Sequence, residues 1–64
     1  MISKKIKDYI TKNGIKQRYV AEQAGLSENK FSLMMRGKRQ INAEEYLSIC
    51  KALNVQPSFF SGVQ

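Results

Sequence analysis

The stretch VAEQAGLSENKFSLM, residues 20–34, decides how this chain folds. It opens and closes on apolar residues, yet Gly25 interrupts it and the polar group Ser27-Glu28-Asn29-Lys30 comes next. Glycine inside a helix is about 1 kcal/mol worse than alanine, so one long helix is a poor reading. Two short helices meeting at a corner fit better. Val20, Ala21 and Ala24 share one side of a first helix, Lys16 to Ala24. Gly25, free to take positive φ, ends it; Ser27 is a good N-cap for the next, and Glu28 suits the positive end of that helix. Phe31, Met34 and Met35 give the second helix its apolar face, and Gly37 closes it. With Gly25 left-handed, the first helix braces the second at a steep angle. Ala21 then lies at the closest approach, while Val20, Ala24, Leu26, Phe31 and Met34 seal the inner angle. The Ser27 end projects, carrying polar side chains on a rigid mount.

The flanks repeat this vocabulary of short helices. Ile2, Ile6, Tyr9 and Ile10 recur at helical spacing, with Ser3 as the expected cap. Asn13-Gly14 is a helix stop, and Ile15 folds back as its apolar contact. Further on, Asn42-Ala43-Glu44-Glu45 reads as a capping box, followed by Tyr46, Leu47, Ile49, Cys50 and Leu53 at helical intervals. Asn54 stops that run and Val55 packs beyond it. Pro57 suits the first position of a last helix, Pro57 to Ser61, with Gly62 past its end. Of Phe59 and Phe60, either one turns inward while the other lines a two-fold interface, or both fold under the first helix. No alternating strand pattern, repeat or linker is present. The expectation is an all-α chain of five helices forming one domain over residues 1–64.

Composition narrows the chemistry. A 64-residue chain buries only about 60% of its unfolded surface, so the core must be compact. One cysteine and no histidine exclude an internal disulfide and ordinary zinc ligation, and leave Cys50 as a core residue. No apolar run approaches the roughly 20 residues of a membrane span, and no signal-peptide pattern opens the chain, so a soluble cytoplasmic protein is expected. Catalysis has little to work with: Glu44 and Glu45 are adjacent, so their carboxylates point to different sides of a helix, and no phosphate-cradling glycine loop exists. No cofactor, metal or small-molecule ligand is expected. The charge is lopsided. Of a net +6, residues 1–40 carry ten basic side chains against three acids, whereas residues 41–64 hold Lys51 against Glu44 and Glu45. A basic front on a near-neutral rear points to a polyanionic partner.

Residues 17–36, QRYVAEQAGLSENKFSLMMR, resemble the helix-turn-helix of the Cro and phage-repressor (XRE-type) DNA-binding domains. Gln17 opening the first helix, Ala21, Gly25, Leu26, Phe31 and Met34 stand at the matching spacings, and RGKR trails at 36–39. YLSICKALNVQPSFF, from Tyr46, is similar to the family's fourth and fifth helices, with Cys50 where a small alanine is common. The likeness runs from about Lys4 to Gly62. It implies a compact five-helix lambda-repressor-like domain, with helices 2 and 3 as the helix-turn-helix, that binds operator DNA, commonly as a homodimer. Leu33 and Met35 depart from the pattern, falling where polar or charged residues are frequent.

The function this implies is sequence-specific regulation of transcription, by a Cro-type repressor of prophage or mobile-element kind that reads the major groove with residues 27–35. A major groove admits one helix, whose first turns reach base edges. Here those are Glu28, Asn29, Lys30, Ser32 and Leu33. The Asn29 amide can donate to and accept from adenine in one plane, or it is plain surface polarity. Glu28 could accept from cytosine, although the helix dipole alone accounts for it. Lys30 suits guanine or phosphate; Leu33 suits a thymine methyl, a neighbouring subunit or simple exposure. Phosphate contacts are expected from Lys16, Gln17, Arg18, Ser27, Arg36, Lys38 and Arg39, with Gln17 assigned by the resemblance and Ser27 serving first as cap. Tyr9 is read as core edge; Tyr19 stays open between core edge and phosphate. A rival reading keeps the corner but turns it on a protein, as an antitoxin-like or phage-encoded inhibitory partner would, with Leu33, Met34 and Met35 as an apolar contact surface.

Overall fold

A computed structural model describes residues 2–61. Those residues form five α-helices and no strand: α1 (Ile2–Lys12), α2 (Gln17–Ala24), α3 (Glu28–Met35), α4 (Ala43–Leu53) and α5 (Ser58–Ser61). The all-α, five-helix expectation holds, with boundaries moved by about a residue. Lys16 is the extended cap residue of α2 rather than its first turn, and α5 begins at Ser58 rather than Pro57. Gly62, expected past the last helix, lies outside the described residues. Ser3 is not a cap. It sits inside the first turn of α1 and is buried, because it shares the helical face of Ile6 and Ile10.

The corner at Gly25 forms as the sequence requires. Gly25 takes φ 74° and ψ 26°, and the N–H of Leu26 reaches back to the Ala21 carbonyl at 2.9 Å. That is the six-to-one closure of a helix ended by a left-handed residue. A Cβ built on Gly25 would meet no atom within 4 Å, so an alanine there would suffer only the backbone strain of about 1–2 kcal/mol. Asn54 ends α4 in the same conformation, φ 60°, with the Val55 N–H on the Cys50 carbonyl at 3.0 Å. Asparagine tolerates this region because its short side chain can hydrogen-bond locally.

Helix α2 is the hub, packing against both α3 and α4, while α1 lies on α3 and α5. Ile6, Val20, Phe31, Met34 and Ile49 are fully enclosed, with Ile10, Ala21, Met35, Cys50, Leu53 and Phe60 buried around them. Fully burying an aliphatic or aromatic side chain is worth about 1.5–3 kcal/mol, and this cluster draws on all five helices. Ala21, 1% exposed, occupies the tight place expected of it. Leu47 does not join the core: Tyr46, Ile49, Cys50 and Leu53 define the inward stripe of α4, and Leu47, one residue on, is rotated off it and is 52% exposed. Phe60 turns inward, and Phe59 keeps 54% of its surface open while touching Tyr9 edge-on at 5.2 Å between ring centres. Tyr9 and Phe60 meet the same way at 5.5 Å, seating α5 on α1. The Tyr46 hydroxyl donates to the Pro57 carbonyl and ties α4 to the start of α5.

Candidate nucleic-acid interface

The projecting end of the corner is built by Ser27. Its backbone is extended, and its Oγ accepts the Lys30 N–H at 3.1 Å, fixing the first turn of α3. Phe31, Met34 and Met35 turn inward from there and anchor the helix by its buried face. Helical spacing then leaves two outer rows, Glu28 with Ser32, and Asn29 with Leu33 and Arg36. Glu28 and Asn29 are exposed, and among the described residues no hydrogen bond or ion pair engages either side chain. Lys30, Ser32 and Leu33 are half-buried on the flanks. The tip is therefore rigid beneath and uncommitted on top. Met34 and Met35 belong to the core, so of the apolar trio required by a protein-binding corner only Leu33 reaches the surface.

Basic side chains lie at both ends of the corner, before α2 and beyond α3. Lys16, Gln17 and Arg18 open α2, with Lys16 and Arg18 exposed and Gln17 half-buried. Lys16 forms no side-chain cap, which leaves the first N–H groups of α2 without that partner. Arg36 and Lys38 are exposed beyond α3, held by Gly37 at φ 73° and by the Lys38 N–H on the Leu33 carbonyl at 2.9 Å. Arg36 also lines an open cleft of about 420 Å³ that it shares with Lys4 and Lys7 of α1. Arg39 behaves differently. It is half-buried, and its Nη1 donates to Glu45 Oε1 at 3.1 Å and to the Gln40 carbonyl at 3.2 Å. The Arg39 guanidinium and the Asn42 N–H together hold the Glu45 carboxyl below the usual carboxylate range, against an opposing push from desolvation.

A family model described as the Cro/C1-type HTH DNA-binding domain matches residues 5–58, which include the corner, the basic groups around it and the helices that brace them. The chain belongs to that family. No curated protein matches it. As a Cro/C1-type domain it is a DNA-binding module with the regulatory character of the family. Two features of this domain escape the sequence. The Arg39–Glu45 pair spans a loop, so no helical spacing announces it. The approach of Lys4 and Lys7 to Arg36 depends on α1 crossing α3, which only the packing reveals. No helix among the described residues is long and apolar enough to cross a membrane.

Proposed function

We propose that residues 1–64 form one domain that binds operator DNA sequence-specifically and regulates transcription in the cytoplasm, as a Cro-type repressor of prophage or mobile-element kind. It acts by binding, not by catalysis. The observation that carries this reading is the capped, exposed tip of α3, whose Glu28 and Asn29 side chains have no partner within the described residues. Asn29 pairs with adenine in one plane, Glu28 accepts from cytosine, and Lys30, Ser32 and Leu33 complete the surface offered to base edges. Lys16, Gln17 and Arg18 on one side, with Ser27, Arg36 and Lys38 on the other, hold phosphates and fix the register. Two copies of the chain bind half-sites about 34 Å apart, one turn of the duplex.

Selecting bound sequences from a pool of random duplexes tests this directly. The expected outcome is a two-fold symmetric consensus whose half-sites are one helical turn apart. With about 4–6 phosphates neutralised per half-site, log affinity against log salt should fall with a slope of about −4 to −5 for each. An unselective pool, or affinity indifferent to salt, rules the reading out.

A further inference from the structure

The loop from Arg36 to Asn42 carries three cations that the sequence assigns to phosphate, Arg36, Lys38 and Arg39, and its ends are fixed by different means. At the front, the Gly37 N–H meets the Met34 carbonyl at 3.1 Å and the Lys38 N–H meets Leu33. At the rear, Asn42 and Glu45 exchange bonds: Glu45 N–H to Asn42 Oδ1 at 2.8 Å, and Asn42 N–H to Glu45 Oε1 at 3.0 Å. The same Oε1 also takes Arg39 at 3.1 Å. One carboxylate oxygen thus gathers the middle of the loop and the start of α4. The Glu45 and Arg39 side chains are 12% and 35% exposed, whereas those of the surface pair Lys4–Asp8 are 74% and 65% exposed. The Arg39–Glu45 pair is built into the protein; the Lys4–Asp8 pair lies on it. Lys30 adds to the positive field on the same carboxylate, so Glu45 faces cations drawn from both α3 and the loop.

We propose that Glu45 is a positioning residue for DNA binding: it holds Arg39 as an internal strut that sets the loop presenting Arg36 and Lys38 to phosphate. Arg39 itself makes no phosphate contact. The inference rests on operator binding as proposed for this domain. Without the carboxylate, Arg39 is released among Arg36, Lys38 and Lys30, and mutual repulsion opens a loop that contains the flexible Gly37.

The test turns on sign. Glu45→Gln raises the net charge by one and keeps an oxygen for the Asn42 N–H, so electrostatics alone would tighten binding to any duplex. A strut predicts the opposite: binding to the duplex selected by the wild-type chain weakens about tenfold, and adding Arg39→Gln to Glu45→Gln weakens it no further. Removing the Arg39 charge itself leaves no loose cation to force the loop open, so in salt titrations Arg39→Gln keeps the wild-type slope, whereas Lys38→Gln reduces it by about 0.9. Circular dichroism melts accompany each variant. Arg39→Gln leaves the Asn42–Glu45 box intact, so it decides the matter even if Glu45→Gln fails to fold. Tighter or unchanged binding by folded Glu45→Gln, or a slope lowered by about 0.9 in Arg39→Gln, overturns the strut while leaving the operator reading intact. A wild-type chain that binds no duplex in a salt-dependent way overturns both.

Discussion

Helices α3 and α4 begin alike and end up with opposite properties. Each has a polar cap residue in extended conformation, Ser27 and Asn42, whose side chain accepts the N–H three residues on. At α4 the exchange is reciprocal, because Glu45 returns a bond to Asn42 and takes Arg39 as well. The polar groups of that joint are turned onto one another. At α3 the third position after the cap is Lys30, which has no carboxylate to return, so the turn is closed from one side only. The difference is one of purpose written in a single residue: a glutamate at that place makes a sealed joint, and a lysine leaves an open face.

Exchanging one asparagine at a time separates the two ends. The largest effect is expected from Asn29→Ala on binding: about 1–3 kcal/mol of base-pair preference is lost, read as altered affinity across single-position operator variants. The same change should leave the urea midpoint within about 0.5 kcal/mol of wild type, since nothing in the fold rests on that side chain. Asn42→Ala should do the reverse, removing about 1 kcal/mol of stability by loss of the cap, with the base preference retained. If both variants lost stability and preference together, the open and sealed ends would not be distinct.

The smallest expected effect is a titration. The Glu45 carboxyl is held below the usual carboxylate range by Arg39 and the Asn42 N–H, so its folded value lies under its unfolded one. Its share of stability is then fully present above the unfolded carboxylate range and fades as the pH falls through the lower, folded value. Thermal melts in acid should show the wild-type chain losing this margin and Glu45→Gln lacking it from the start. An identical acid profile for both would remove the sealed joint from the account.

Much of the fold and of the exposed tip is legible in the residues. Gly25, Gly37, Ser27 and the Asn42–Glu45 box are local devices, each fixed by a few neighbours, and each is found where the sequence places it. Phe31, Met34 and Ile49 are readable as core from their period alone. The misses share a cause. Ser3 and Leu47 depend on which sliver of a helix face meets a neighbour, and a shift of one residue rotates a side chain by about 100°. The Glu45 partner of Arg39 goes unread because charge is visible in a sequence and a partner across a loop is not. Which of Phe59 and Phe60 turns inward likewise depends on the seat that Tyr9 offers.

Cys50 gives the molecule an internal clock. It is the only thiol in the chain and is 1% exposed, on the helix that lies against the hub. A reagent in solution reaches that sulfur only when α4 lifts away, so the labelling rate counts such openings. Slower labelling in the presence of duplex would report, with no engineered probe, how firmly a bound nucleic acid holds the domain shut.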